Sequence, residues 1–325
     1  MHMKPILALL LASCLAAYAE TEEHVNKRFT VQPGGKLVVD VDMGSIDVNT
    51  NATGEVAVEV LRKVSRGSKT DEESFLQERP VTFSQEGDTV TIRSRAKNKI
   101  NGSWHGRQRS EAKYTITVPA RFNAQLKTAG GGITVNDLTG DTKADTSGGG
   151  LRFARLRGPL DGSTSGGGIR VGDCEGTLKV NTSGGGIDVT GGSGSLQGHT
   201  SGGSVRVTEF RGPVSVESSG GGITIEGVVG TVRGSTSGGS ISASFPSPLT
   251  EEVKLETSGG GVTMRVAEGA AFDLDAATSG GGVSSDLPVT VVGKIARDRL
   301  KGPVNGGGKP VVLRTSGGSI HVRKI

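Results

Sequence analysis

The chain has 325 residues, a formal charge of +4 and 54 glycines, and only 3% of its residues are aromatic. So balanced a charge gives no electrostatic footprint for nucleic acid. Two cysteines, Cys14 and Cys174, exclude a disulfide framework.

The first segment reads as an export leader. Lys4 supplies a short positive region, Ile6 to Ala17 is apolar, and Ala17-Tyr18-Ala19 fits a small-x-small cleavage site. The predicted signal peptide is therefore 1–19, and the predicted location is exported: periplasmic, secreted or cell surface. A competing reading takes Leu11-Ala12-Ser13-Cys14 as a lipobox, with the chain anchored through Cys14. No other apolar run approaches the ~20 residues that span a bilayer. Cleavage would remove one base and no acid, leaving Cys174 as the only thiol.

Residues 20–125 form a β-rich start or cap. Lys36–Asp42, Val56–Leu61, Pro80–Ser84, Thr89–Ile92 and Tyr114–Pro119 alternate apolar and polar, the signature of a strand with one buried face. Gln85-Glu86-Gly87-Asp88 is a hairpin turn between two of them. Asp71 to Glu78 is either a short helix or a polar loop. Between Ile92 and Tyr114 lies a basic stretch with Arg93, Arg95, Lys97, Lys99, Arg107, Arg109 and Lys113, opposed by Glu111. It also holds Trp104, the chain's single tryptophan. Basic groups beside an exposed aromatic suit contact with an anionic glycan or lipid headgroup. Arg93, Arg95, Lys97, Lys99, Trp104, Arg107 and Arg109 are thus the candidate ligand contacts; a solvated hairpin tip is the bland alternative.

Residues 126–325 are governed by one phrase, Thr-Ser-Gly-Gly-Gly followed by two alternating apolar residues. It starts at Thr128 as Thr-Ala-Gly-Gly-Gly and returns at Thr146, Thr164, Thr182, Thr200, Ser218, Thr236, Thr257, Thr278 and Thr315. The first six steps are 18 residues, the next two 21 and the last 37. A fixed period means stacked units that bury a core only together. Each unit has room for two short strands and no helical crossover. The predicted fold is all-β, a parallel β-solenoid (β-helix) with 18-residue coils, right-handed because parallel crossovers nearly always are. Ile133, Leu151, Ile169, Ile187, Val205, Ile223, Ile241, Val262, Val283 and Ile320 should form one inward column, and Val135, Phe153, Val171, Val189, Val207 and Ile225 a second. The glycines should make tight corners, through positive φ or close backbone approach, and the threonines a column of stacked hydroxyls. Cys174, in an inter-strand turn, reads as a surface or half-buried thiol. Residues 287–313 break the period as an excursion, a lateral hairpin or cap, before Val311–Val322 make a last rung.

The chemistry expected is binding rather than catalysis. Gly-Gly-Gly lacks the strand–loop–helix setting and the lysine of a phosphate cradle. A Ca²⁺-loaded roll needs an Asp in every turn, whereas Arg152, Arg170, Arg206, Thr224 and Thr263 stand there, with Asp188 the exception. No cofactor, catalytic or metal set is assigned. Paired carboxylates for a carbohydrate-active enzyme reduce to Asp273 and Asp275 on one strand face. Arg152, Arg170 and Arg206 make a local basic stripe, for which a solvated face is the bland explanation.

The strand ending Val118-Pro119, the run Ala124-Gln125-Leu126-Lys127-Thr128 into Gly-Gly-Gly-Ile-Thr-Val, the tandem Thr-Ser-Gly-Gly units and the closing Leu300-Lys301-Gly302, Asn305-Gly306-Gly307-Gly308 and Thr315-Ser316-Gly317-Gly318-Ser319-Ile320 together resemble the bacterial putative-adhesin domain of unknown function. That resemblance runs from about residue 30 to the end. It implies a Gly-rich β-helix in an exported or envelope protein, with an adhesin-like binding or structural role, or a sensing role in envelope stress. The partners expected, from the basic loop and the export leader, are an anionic envelope polysaccharide or another envelope protein. The family carries no catalytic motif that could be placed on residues here.

Overall fold

The structure is a computed structural model and describes residues 20–96, 109–291 and 296–325. Strands alternate buried and exposed positions as their sequences alternate, for example Ile187–Thr190 and Val214–Ser218. They assemble into two long, mostly parallel sheets of 14 strands each among the described residues. One strand from each sheet makes a rung. In the first sheet Ile133 stands beside Leu151, Leu151 beside Ile169, and Ile169 beside Ile187. In the second, Leu160 stands beside Leu178 and Leu178 beside Leu196. Partners are thus one repeat apart, and like side chains stack into columns.

The core lies between the sheets. Both predicted columns are buried, apart from Val283, and Tyr114 and Ile46 extend the first one upstream. Val283 is half-buried because its strand, Val283–Ser285, is the outermost of its sheet. The second sheet faces them with smaller residues where the first is bulky: a Cβ on Gly162 would come within 2.9 Å of the Phe153 ring. Interdigitation of this kind is how a close-packed interior is filled.

A third side closes the rungs between residues 121 and 229. Leu138, Leu156, Cys174, Phe210 and Val228 are buried there, one repeat apart except that Gly192 takes the intervening level. Single bridges link Arg121, Thr139, Arg157 and Glu175 in parallel along it. The residue before each apolar one adopts positive φ, at Asp137, Arg155, Asp173 and Glu209. Cys174 is therefore a core side chain, not the surface or half-buried thiol expected. Leu156 N–H donates to its Sγ at 3.4 Å, and burial pushes its thiol pKa up.

The Thr-Ser-Gly-Gly-Gly corner joins the two strands of a rung. Its threonine points inward and donates from Oγ1 to the carbonyl of the middle glycine one rung down. Thr182 does so to Gly167 at 2.7 Å and Thr200 to Gly185 at 2.8 Å. The same hydroxyl accepts from its own middle glycine, Gly185 N–H to Thr182 Oγ1 at 3.3 Å. The ladder continues unbroken from Thr128 to Thr278, and it satisfies the buried hydroxyls. The middle glycine is required by space rather than by positive φ: a Cβ on Gly185 would lie 2.2 Å from the Gly167 carbonyl oxygen.

Both ends depart from sequence order. Lys36–Val41 and Ser45–Asn51 already form a rung, pairing in parallel with Asn123–Thr128 and Ile133–Asn136. Thr89–Ser94 and Arg109–Pro119 make a rung beneath it. Antiparallel strands follow outward: Glu55–Ser65 and then Thr21–Thr30 in the first sheet, Thr82–Glu86 in the second. The segment left open as helix or loop is a helix, Lys69–Glu78, started by Ser68, whose Oγ accepts from Asp71 N–H at 3.1 Å. At the other end the expected last rung is not last in space. Lys309–Thr315 and Ile320–Lys324 slot between the rung of Val253–Thr257 and Val262–Val266 and that of Phe272–Thr278 and Val283–Ser285. The excursion returns through Arg299–Val304, antiparallel on Phe272–Thr278. A chain that overshoots by one level and comes back leaves an antiparallel strand outside and a gap that its final residues fill.

Candidate binding face

The predicted contact loop divides. Lys97, Lys99, Trp104 and Arg107 lie outside the described residues. Arg95 sits at its root, with Nε donating to Asp40 Oδ2 at 2.8 Å and Nη1 to Asp42 Oδ1 at 3.3 Å. Ala96 N–H donates to the other oxygen of Asp42 at 2.6 Å. The hydrogen bond from Arg95 holds the Asp40 carboxyl below the usual range. On the far side Arg109 Nε donates to Glu111 at 2.7 Å, and Lys113 pairs with Asp47 at 3.4 Å. Arg93 faces out beside Asp40, which has Lys127 on its other side. The described cations of this loop are thus interleaved with carboxylates.

The arginine stripe is different. Arg152 and Arg170 are neighbours in register on adjacent strands, followed by Asp188, Arg206 and Thr224. Strand alternation points them outward, because Ile169 and Val171 on either side of Arg170 are buried. Arg206 reaches Glu226 at 3.8 Å, a loose exposed pair. Arg152 and Arg170 have no carboxylate partner among the described residues. Beside them run the third residues of the corners, Gly150, Gly168, Gly186 and Ser204, which give a wall of nearly bare backbone. Together with Thr134 and Thr224 these residues line a shallow groove of about 620 Å³ along the rungs. Its chemistry is two guanidinium groups on adjacent rungs ~4.8 Å apart and a third beyond Asp188, above accessible backbone.

Other predicted chemistry is not brought together. Asp275 is held by Arg314 at 3.0 Å and Lys301 at 3.5 Å, so this carboxylate is committed to ion pairs. Among the described residues no group of three or more His, Cys, Asp or Glu side chains is placed to hold a metal ion, and no helix is long and apolar enough to cross a membrane. A second groove, about 540 Å³, lies on the third side against the turn Phe245–Glu251. Sequence reasoning missed that whole side, although an apolar residue every 18 positions at Leu138, Leu156 and Cys174 marks it.

The family described as Toastrack DUF4097 matches residues 36–323. No curated protein matches the chain. Solved structures with similarity include a putative adhesin from Parabacteroides merdae, at 10% identity and TM-score 0.41, covering 93% of this chain and 96% of that one. A putative adhesin from Bacteroides fragilis has 12% identity and TM-score 0.34, with coverage of 92% and 97%. A putative lipid binding protein from Parabacteroides distasonis has 12% identity and TM-score 0.38, with coverage of 93% and 96%.

Proposed function

The chain belongs to the Toastrack DUF4097 family, and from that premise we propose that it is a non-catalytic, exported envelope protein with an adhesin-like role, binding an anionic polysaccharide along its arginine stripe. The leader-like start of the sequence supports export. The coils are read as 18-residue turns of a right-handed β-solenoid, a scaffold that offers the same outward position at every level. The observation that carries the reading is the pairless Arg152–Arg170 step with Arg206 beyond it, set beside the backbone wall. An exposed arginine without a carboxylate keeps its planar fork available, and that fork fits a carboxylate or phosphate by two parallel hydrogen bonds. The rung spacing of ~4.8 Å is close to the length of one pyranose unit in an extended glycan. Arg152 and Arg170 can therefore meet two successive sugar units and Arg206 another beyond Asp188, while Thr134 and Thr224 add hydroxyls at the two ends of the groove.

The test is affinity electrophoresis through gels carrying a polyuronate, a phosphodiester-linked polysaccharide or a neutral glucan. The parent should be retarded by an anionic polymer and not by the glucan. Retardation should weaken with salt, since exposed charges are screened over ~10 Å at 0.1 M. The Arg152→Ala/Arg170→Ala/Arg206→Ala chain should lose most of it. Equal retardation of parent and variant, or none for the parent, refutes the proposal.

A further inference from the structure

Among the described residues the strand Thr21–Thr30 is the free edge of the first sheet, paired on its inner side only. It is ten residues long and contains no proline and no bulge. The other edges are shorter: Val283–Ser285, Thr82–Glu86 and Arg299–Val304, the last containing Pro303. Long unprotected edges invite another strand unless something prevents it.

Its hydrogen-bonding phase is fixed by its neighbour. Val31 N–H donates to Gly54 O at 2.9 Å, one step beyond the pair Thr30 and Glu55. Antiparallel pairs alternate between exchanging bonds and not. Odd-numbered residues therefore bond inward to Glu55–Ser65, and the N–H and C=O groups of Glu22, His24, Asn26 and Arg28 point away from the sheet. A second copy related by a two-fold axis can meet those groups only in registers that set even residues against even.

The charges choose among those registers. The strand reads Thr-Glu-Glu-His-Val-Asn-Lys-Arg-Phe-Thr, acids in its first half and bases in its second. An axis through Val25 sets Glu22 against Arg28 and Glu23 against Lys27, twice each by symmetry, with His24 against Asn26. An axis through Asn26 would set His24 against Arg28 and Glu23 against Phe29. One through His24 would leave Glu22 against Asn26 and Glu23 against Val25. The Val25 register alone matches every charge on the strand with its opposite. It also brings Val25 against Val25 on the core side, where each is already partly buried against the core. The groups needed are accessible: the Arg28 side chain is 79% exposed and only loosely paired with Glu55 at 3.6 Å, and Lys27 has no ion pair among the described residues. Glu22 pairs with Lys63 and Glu23 with Arg62, so the incoming bases would extend existing ion pairs into ladders.

We propose that the protein forms a two-fold dimer through Thr21–Thr30, antiparallel about Val25, joining the first sheets of two copies into one continuous sheet. The proposal does not depend on the polysaccharide reading, because it uses the outermost strand of the first sheet, whereas the groove lies on that sheet's middle strands. The test is sedimentation velocity on the purified protein at micromolar concentration, together with amide hydrogen exchange. A dimer is expected, with the amides of Glu22, His24, Asn26 and Arg28 protected in it. Arg28→Glu and Glu22→Arg each set like charges opposite one another and should weaken dimerisation about tenfold or more. Mixed in equal amounts, these two variants complement each other and should recover a heterodimer. Circular dichroism melts matching the parent would show that each variant is folded. A monomeric parent, a dimer indifferent to both variants, exposed even-numbered amides, or a mixture that stays monomeric would each overturn the proposal.

Discussion

Replacing the middle glycine of one corner by alanine tests the stacking most directly. In Gly185→Ala the new Cβ would stand 2.2 Å from Gly167 O, 2.4 Å from Gly167 C and 2.5 Å from Gly168 N. All three are backbone atoms of the rung below, so no side chain can swing aside. Reaching ordinary contact requires these rungs to part locally by roughly 1 Å out of a ~4.8 Å spacing. Three bonds hold the corner shut: Thr182 Oγ1 to Gly167 O at 2.7 Å, Gly184 N–H to Ser165 O at 2.9 Å and Ile169 N–H to Gly186 O at 2.9 Å. Losing two of them, at ~1 kcal/mol each, with ~1 kcal/mol of residual overpacking strain, gives about 3 kcal/mol. The control lies one corner position on, in the rung below. Ser204, Ser240 and Ser319 already occupy the third corner position, where a Cβ on Gly168 would meet Gly186 O at 3.2 Å. Gly168→Ser should therefore cost under ~1 kcal/mol. Urea unfolding followed by far-UV circular dichroism measures both. If the two variants unfold alike, close approach at the middle position is not what demands glycine.

The remaining expectations follow the same geometry. Ile187→Asp buries a charge in the middle of the first column, where Ile187 is 2% exposed, and should cost at least ~3 kcal/mol by urea unfolding. Thr182→Val removes the rung-to-rung hydroxyl and should cost ~1–2 kcal/mol, while Thr182→Ser, which copies Ser218, should cost clearly less in the same assay. Cys174 should react with a thiol reagent only after denaturant is added, because burial raises its pKa and covers its sulfur; fast labelling of the native protein would contradict its place in the core. Truncation after Gly308 removes an internal layer, not a terminal one, and should destabilise the whole C-terminal end to limited proteolysis instead of trimming one rung.

Much of the fold was legible because period and alternation are strictly local signals. Ile169-Arg170-Val171 announces which side is buried, and the next unit repeats the statement. The threonine ladder was legible for the same reason. The third side was not, because one buried residue between two turns, such as Leu156 in Arg155-Leu156-Arg157, has no alternation around it. Its signal exists only across repeats, and there Gly192 breaks the series and Cys174 disguises it. The order of rungs at the ends was illegible for another reason. Lys309–Thr315 would pair equally well with a rung on either side by pattern, and its position between two rungs is decided by the antiparallel return of Arg299–Val304. Of the proposed contact residues, Arg95 looked like a free cation because its partners, Asp40 and Asp42, are more than fifty residues away in sequence.

The two ends solve one physical problem. A parallel stack leaves each outer rung with a row of unpaired backbone groups and an open core, and adding another repeat only moves the problem outward. Here the chain overshoots, returns antiparallel, and lets strands of unrelated sequence, Thr21–Thr30, Thr82–Glu86 and Arg299–Val304, stand at three of the four sheet edges among the described residues. Those strands escape the constraints of the repeat, since they need neither a middle glycine nor an inward threonine. They are therefore the places where the sequence is free to encode something specific. At the C-terminal end that freedom is used to close: Val304 and Leu287 are buried and Asn305 Nδ2 donates to the Glu268 and Ala270 carbonyls. At the N-terminal end the outermost strand of the first sheet, Thr21–Thr30, instead keeps a full edge open among the described residues and divides its charges by sign along its length. A strand whose only task was to repel neighbours would do so better with charges of one sign; acids in one half and bases in the other attract an antiparallel copy of the same strand.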